Sequence, residues 1–581
     1  MCGILFCLQT TVQHHSDAAW NDVFHRLKNA SVARGLDAQE TVVQNICGLS
    51  LTYFASELRL RGDAYIAQPH RDEQGNILCW NGEIFEGLEV SADENDGAKL
   101  FAELRRTETP EQIQDLLGDL EGPYAFVYYS ASMRKLFFGR DPLGRRSLLI
   151  HKPTAASPRL VLASVSVGPS SEYSLDELPT DTFFFVDLPS LEGEDIIDGL
   201  TSYFHTLRRE DTAKALPFAH LTPVNRTLPS DPPASGDLDN PEEHLTAAAD
   251  RLLKHLDESV RLRVVNIPQK LEDQGKARVA VLFSGGIDST VLAFLADRHV
   301  DRDEPIDLLN VAFENPRKIL VQAEGNIGGL PKWEKKQKLK DRTQYTTIEV
   351  TYNVPDRGTG LQELEELRRL CPHRTWNFVE VNVPFEEYTG ARTIVENLMF
   401  PGRTVMDLSL AAALYFAARG EGQVRDDATA EARPYKSPAR VLLNGLGSDE
   451  LLGGYGRFRT AYKAAGWQAI IDELQLELDR IPTRNLGRDD RVISSHGKET
   501  RHPFLSLSVV SFLSSLPVHM KLDPRLEAGI GEKMLLRIAA RKVGLVEASS
   551  RKKRAMQFGS HSARMAPGDG DKKGDIILPD A

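Results

Sequence analysis

The stretch VAVLFSGGIDSTVLAFLADR, residues 279–298, constrains the fold more than any other. VAVLF is an uninterrupted apolar run of the kind a strand needs when both its faces are covered. Ser284, Gly285 and Gly286 break that run, and the residues from Ile287 onward read as a helix. A strand, a glycine loop and a helix in that order aim backbone N–H groups and the positive end of a helix at one point, which suits a phosphate. The spacing is not that of a Walker loop, and no lysine follows the glycines. IDLLNVAF, TIEVTYNV and NFVEVNV read as further strands, separated by helical patterns such as GLQELEELRRL and VMDLSLAAALYFAAR. Strands alternating with helices predict a parallel α/β domain, here over residues 245–565.

Residues 2–200 have another texture. Short β-type runs (CGILFCL, CGLSLTYF, NILCWNGEIF, YAFVYYS, KLFFGRD, TFFFVDL) are separated by turn residues, with two helical patterns, WNDVFHRLKNASVA and GAKLFAELRR, between them. This predicts a layered α+β sheet domain. Residues 201–244, dense in Pro, Ser and Asp towards their end, read as a linker. Residues 419–438 read as a mobile surface insertion, and 566–581 as a disordered tail.

A net charge of −13 over 581 residues argues against nucleic acid as a partner. No stretch approaches the roughly 18–20 apolar residues of a membrane span. The N-terminus MCGILFCLQTTVQHH lacks the basic start of a signal peptide. Five cysteines at irregular spacing (Cys2, Cys7, Cys47, Cys79, Cys371) make neither a disulfide framework nor a zinc pattern. The expectation is a cytoplasmic protein without a membrane partner. Whether copies of the chain associate into a homo-oligomer stays open.

Cys2 directly follows the initiator methionine. Removal of Met1 would give Cys2 a free α-amine with a pKa of about 7.7–8.0, able to serve as general base for its own thiol. In CWNGEIFEG, residues 79–87, Asn81 and Gly82 offer an amide and an N–H suited to an oxyanion, and Glu83 a carboxylate suited to an ammonium. The arginine-rich turns ARGLDA and GRDPLGRRSL read as turn chemistry.

MCGILF, RGLD, NGEIF and GRDPLGRR stand in the order and approximate spacing of class II glutamine amidotransferase domains of the Ntn type, which residues 1–190 resemble. That resemblance implies an α+β Ntn-type sandwich in which Cys2 attacks the side-chain amide of glutamine. It implies Asn81 and Gly82 as the oxyanion hole, and Glu83 and Asp96 as ligands of the glutamine α-amine. It places the arginine for the α-carboxylate in SELRLRG, as Arg59 with Arg61 the alternative. RGLD has Leu36 where the family usually has proline, a turn adjustment.

SGGIDS is similar to the pyrophosphate loop of ATP-pyrophosphatase domains, which cleave ATP between its α and β phosphates. LNGLGSDELLGGY, residues 443–455, is a second strand-loop whose Asp449 can join Asp288 around one Mg²⁺. The order Cys2, SGGIDS, GLGSDE, RHPFL, GEKMLLR is that of asparagine synthetases, and YNVPDRGTG, TVMDLSLA and RKKRAMQFGS resemble the asparagine synthetase domain-containing proteins within that group. The resemblance implies ATP and Mg²⁺ as cofactors, and glutamine and aspartate as substrates. It implies Leu282 and Val311 at the adenine through their backbones, and Ser284, Gly285, Gly286 and Ser289 at the phosphates. Asn444 and Gly445 would lie near the nucleotide, and Lys533 would neutralise pyrophosphate. Asp288 and Asp449 would hold the metal.

One position departs. Asparagine synthetases read G-E-G-S-D where this chain reads Gly445-Leu446-Gly447-Ser448-Asp449. Leucine cannot accept a proton, and loss of a positioned base costs about 10²–10⁴-fold in rate. Asp407 and Glu450 are the other carboxylates the sequence offers for that role. Three functions follow: a glutamine-dependent amidotransferase making asparagine, an ATP-binding regulatory or scaffold protein derived from one, or a ligase adenylating another carboxylic acid. A tRNA-modifying relative fits less well, for want of a basic footprint and a cysteine pair.

Overall fold

A computed structural model of the chain describes residues 2–11, 18–212, 214–229, 237–269, 273–314, 352–427, 429–565 and 575–578, with Cys2 described by its backbone alone. The first half contains two six-stranded sheets. One runs in the order Asp176–Glu177, Leu149–His151, Leu160–Ala163, Cys2–Thr10, Leu49–Glu57, Ala38–Ile46. The other runs Phe204–Arg208, Thr182–Asp187, Lys135–Arg140, Tyr124–Ser130, Ile77–Gly82, His70–Arg71.

Side chains alternate across a strand, so each sheet has two faces to cover. Ile4, Phe6 and Leu8 pack with Cys79, Val127 and Phe138 of the facing sheet. Leu5 and Cys7 point the other way, onto Trp20, Val23 and Leu27 of the helix Ala18–Val32. Leu78, Trp80 and Phe126 meet the helices Asp96–Leu104 and Pro110–Gly118. The result is four layers: helix, sheet, sheet, helices. The edge strand Ala38–Ile46 alternates half-buried and exposed residues, whereas Leu49–Glu57 is buried throughout.

The second half is one seven-stranded sheet, in the order Arg433–Lys436, Glu421–Val424, Trp376–Val383, Ile306–Phe313, Val279–Leu282, Val441–Leu443, Glu499–Arg501. The last five strands are mutually parallel. Val279 and Val281 face a core built with the helices Glu243–Val264, Ile287–Asp297 and Met534–Lys542, while Ala280 and Leu282 face the core under Val405–Arg419. From Val279–Leu282 the chain builds strands outward on one side, then returns to place Val441–Leu443 on the other. A ligand site in an open parallel sheet forms at such a reversal, outside the carboxyl ends of the two strands. There the loops 283–287 and 444–448 meet.

Three expectations about connections change. Phe204–Arg208 pairs with Thr182–Asp187, so residues read as linker complete the N-terminal sheet. Farther along, Leu216, Ala219 and Val224 are buried, and Asn225 N–H donates to the Ser514 carbonyl (2.8 Å). Their prolines and polar residues hid scattered apolar anchors. Within 419–438, expected as a mobile insertion, Glu421–Val424 and Arg433–Lys436 pair as antiparallel strands on the edge of the sheet. Asp575–Leu578 is also placed: Leu578 N–H donates to the Arg403 carbonyl, and Leu578 is buried. The strand expected at 347–354 lies mostly outside the described residues, as do 566–574 and 579–581. Among the described residues no helix is long and apolar enough to cross a membrane.

Candidate functional site

The loop after Val279–Leu282 is shaped by contacts that exclude side chains. Gly285 has φ +73°, and a Cβ there would sit 2.4 Å from the backbone nitrogen of Gly360. Thr359 Oγ1 donates to the Ser284 carbonyl (3.0 Å), so PDRGTG backs the SGG loop. Ser289 Oγ donates to the Gly286 carbonyl (3.1 Å) within the first turn of the helix Ile287–Asp297. The second loop packs on the first: a Cβ on Gly445 would lie 2.8 Å from the Asp288 Cβ. Gly447, at φ +99°, caps the short helix Ser448–Leu452 that carries Asp449. Asn444 Oδ1 accepts from Leu446 N–H (3.0 Å) and fixes the turn.

These loops bring together the residues expected at the pyrophosphate. Lys533 Nζ donates to Asp288 Oδ2 (2.6 Å) and forms an ion pair with Asp449 Oδ1 (2.6 Å). Ser448 Oγ donates to Asp288 Oδ1 (2.7 Å), and Lys553 Nζ donates to Asp449 Oδ2. Lys533 holds a left-handed backbone (φ 55°) at the start of Met534–Lys542, an unusual cost for a long side chain. A Cβ on Gly454 would strike both Asp449 and Lys533, so GGY leaves room for the pair. Burial pushes the Asp449 carboxyl up, but the Lys533 and Lys553 ammoniums outweigh it and hold the carboxyl well below the usual range. Burial likewise opposes the Lys533 charge, and the two aspartates prevail.

The cavity above has a volume of about 490 Å³, and eight basic against four acidic side chains line it. That excess suits a polyphosphate. Leu282, Ser284, Gly285, Gly286, Asp288, Ser289, Asn444, Gly445, Asp449 and Lys533 all line it. Val311 does not; its side chain belongs to the core beneath. Among the described residues no group of three His, Cys, Asp or Glu could hold a metal. Asp288 and Asp449 fit a Mg²⁺ whose remaining ligands are phosphate oxygens and water, the usual arrangement for that ion.

Leu446 packs on the α/β core and lines both the cavity and a cleft with Ile481, Arg484, Leu486 and Leu505. Neither carboxylate offered as its replacement lines the cavity. Asp407 closes a capping box with Thr404 and pairs with Arg488 (2.6 Å). Glu450 is buried and accepts from Tyr455 OH, with burial and then Asp449 pushing its carboxyl up. Besides Asp288 and Asp449, two carboxylates that no sequence motif singled out line the cavity, Asp356 and Asp489. Asp356, in YNVPDRGTG, is pushed up to about 7 by burial despite Arg554 and Lys553 nearby. Asp489 pairs with Arg488 (2.7 Å).

The second candidate site lies in the N-terminal layers. Cys2 opens its strand in register with Glu57, whose carboxyl is pushed up to about 7, chiefly by burial. No sequence motif singles out Glu57, which only strand pairing brings beside Cys2. Asn81 and Gly82 end the strand Ile77–Gly82; Asn81 is buried, and Gly82 leaves no space for a Cβ against Pro123, Trp80 and Tyr124. Glu83 is not an open acceptor: Arg61 Nε donates to its Oε2 (2.8 Å), and Arg501 forms an ion pair with its Oε1 (3.1 Å). A buried carboxylate requires such partners, so a substrate ammonium would have to share them. Asp96 begins the helix Asp96–Leu104, accepts from Ile84 N–H (3.0 Å), and is pushed up to about 7 by burial and by Glu83. Arg59 stacks on Tyr65 (4.3 Å) and donates to the Asp63 carbonyl, while Arg61 is the arginine packed beside Glu83.

The arginine turns prove to be more than turn chemistry. Arg34 pairs with Asp490 (2.8 Å), Arg146 with Glu499 (2.8 Å), and Arg145 donates to the Leu505 carbonyl (2.8 Å). All three arginines are buried, and all reach the second half of the chain.

Comparison with known proteins agrees with this architecture. The family model described as a glutamine amidotransferase domain matches residues 1–174, and that described as asparagine synthase matches 252–324 and 460–570. The chain is 38% identical over 629 aligned positions to asparagine synthetase domain-containing protein 1 of Gallus gallus, covering 97% of each chain. It is 37% identical over 628 positions to the Homo sapiens protein of that name, covering 97% of this chain and 95% of that one. It is 23% identical over 467 positions to the glutamine-hydrolyzing asparagine synthetase of Pongo abelii, covering 79% of this chain and 67% of that one.

Proposed function

Because the chain belongs to the family of asparagine synthetase domain-containing proteins, we propose that it is a glutamine-dependent, ATP-consuming amidotransferase of the asparagine synthetase type. The observation that carries this reading is the meeting of Asp288, Asp449 and Lys533 at the sheet's reversal point, within a cavity of positive balance.

In the N-terminal half, the Cys2 α-amine takes the thiol proton and the thiolate attacks the glutamine amide carbon. Asn81 and Gly82 donate to the developing oxyanion, ammonia leaves, and water releases glutamate from the thioester. In the second half, the glycine loop and Lys533 hold the triphosphate while a carboxylate oxygen of the substrate acid attacks the α-phosphorus and pyrophosphate leaves. Mg²⁺, when bound by Asp288 and Asp449, neutralises charge on the phosphates. Ammonia then displaces AMP from the acyl-adenylate, giving the amide. Aspartate is the default acid, and a cytoplasmic setting suits a chain in which Cys7, Cys47 and Cys371 are free thiols.

Leu446 favours a second reading of the last step, in which the acid is not aspartate or amide formation is slow. Three measurements test the proposal. Cys2→Ala should abolish glutamine hydrolysis with nucleotide binding intact, and intact mass should show Met1 removed. Acid-dependent exchange of labelled pyrophosphate into ATP, run over a panel of carboxylic acids, should identify the acid. No exchange with any acid, together with no glutaminase activity, would leave the regulatory reading in its place.

A further inference from the structure

Three of the four carboxylates at this end of the N-terminal layers are occupied. Glu83 is shared by Arg61 and Arg501. Asp96 accepts from the N–H groups of Ile84 (3.0 Å) and Gly97 (2.9 Å). Asp37 accepts from the Arg59 N–H (2.9 Å) and pairs with Arg440 (2.6 Å). Glu57 is the exception. It is 2% exposed, and neither of its carboxylate oxygens has a hydrogen-bond partner among the described residues. A buried carboxylate without a donor is costly, so a cation should belong there. Arg59 does not supply it, because its guanidinium turns to Tyr65 and to the Asp63 carbonyl. The residue opposite Glu57 in the antiparallel ladder is Cys2. Directly opposed residues hold their Cα atoms about 4.5–5.5 Å apart. Gly3 fixes the strand at this point: its N–H donates to Ser56 Oγ (3.1 Å), and a Cβ on it would lie 2.5 Å from the Ser31 carbonyl oxygen. The backbone nitrogen of Cys2 is therefore held on the rung that carries the unpaired carboxylate.

We propose that Glu57 is a positioning residue for the Cys2 reaction, the counter-ion of the α-amine that removal of Met1 exposes. This rests on the reading of the N-terminal half as a glutaminase. The α-nitrogen takes the thiol proton as sulfur bonds to the amide carbon, and becomes an ammonium. It then gives that proton to the amide nitrogen, which leaves as ammonia. Glu57 carries no proton in these steps. Its charge makes the α-nitrogen a stronger base and holds the ammonium while it exists. The other acids nearby cannot take over. Asp37 and Asp96 have the donors given above, and Glu499, from the second half of the chain, is matched by Arg146 and Arg501. Burial pushes the Glu57 carboxyl up to about 7; the N-terminal charge and Arg59 oppose this, and Asp37 and Asp96 add to it.

The test uses the full chain freed of Met1. Glutaminase kinetics are followed over pH, and Cys2 alkylation by iodoacetamide, read by peptide mass spectrometry, is the second readout. Glu57→Gln keeps the shape and removes the charge. Burial disfavours this carboxylate in the fold, so the melting temperature should hold or rise. Without the carboxylate the α-amine titrates lower, so the acid limbs of kcat/KM and of alkylation should move down by about one pH unit or more. At pH 8 kcat should fall about tenfold, with the glutamine KM within about twofold. Glu57→Asp should recover part of kcat. Unmoved limbs with an unchanged kcat would overturn the role and leave the glutaminase reading standing. A raised KM with unmoved limbs would overturn it too, by making Glu57 a glutamine ligand. If the natural protein hydrolyses no glutamine and its Cys2 is alkylated no faster than an ordinary thiol, the glutaminase reading fails and the role of Glu57 with it.

Discussion

Arg501, on the last strand of the α/β sheet, forms a buried ion pair with Glu83 of the N-terminal half at 3.1 Å. The same guanidinium pairs with Glu499 (2.5 Å), which also pairs with Arg146 (2.8 Å). Arg61 holds the other oxygen of Glu83. The candidate glutamine site is thus finished by a residue from the synthetase-like half.

Removing one member of a buried pair costs about 3–5 kcal/mol, because the other charge is left uncompensated. Arg501→Gln is expected to lower the melting temperature and to raise the glutamine KM several-fold, with Arg501→Lys recovering part of both. Glutaminase kinetics beside a melting curve check this. An unchanged KM in a folded variant would show that Glu83 plays no part in binding glutamine.

The Asp96 carboxyl, pushed up to about 7 by burial and then by Glu83, predicts a pH dependence. An acid with a raised pKa is charged above that value and neutral below it. Asp96 should attract the glutamine ammonium above pH ~7 and lose that attraction as pH falls through ~7. Glutamine KM should therefore rise by about tenfold between pH 8 and pH 6. Asp96→Asn should give a high KM at both pH values. A flat profile in the natural protein would contradict the assignment.

Asp288→Asn and Asp449→Asn should each reduce metal-dependent pyrophosphate exchange by about 10²-fold or more. Glutamine hydrolysis should stay within about twofold, since these aspartates lie outside the N-terminal layers. Equal loss of both activities would mean that the halves do not work separately.

Leu446→Glu tests the departing loop. Leu446 is part-buried against Leu505 and Leu486, so the change should cost about 1–3 kcal/mol in packing. Arg484 lines the same cleft and can pair with the new carboxylate. With ATP, the acid identified by exchange and ammonium chloride, amide yield should rise by about tenfold or more. A natural protein that already forms the amide rapidly, with no gain in the variant, would show that the base lies elsewhere; Asp356 and Asp489 are then the carboxylates in the cavity to substitute next.

The sequence by itself determined what is local. SGGIDS specified strand, loop and helix because glycines, an apolar run and a helix start are each decided by neighbours in the chain. The meeting of SGGIDS with GLGSDE and Lys533 was expected from the resemblance to asparagine synthetases, since a motif's own turn does not say which distant residues it will face. Long-range electrostatics were not legible. Arg34, Arg145 and Arg146 read as turn residues, yet their guanidiniums are buried against carboxylates and carbonyls more than 340 residues away in sequence. Glu83 looked open to a substrate because nothing near it in the chain announces Arg501. Residues 204–208, 421–424 and 433–436 looked like linker and insertion because each is short and lacks a run of apolar residues, and only pairing with a partner strand makes them sheet. Local propensity shapes a loop through its own backbone, whereas a buried charge is placed by whichever opposite charge the fold brings to it, and that choice belongs to the tertiary structure.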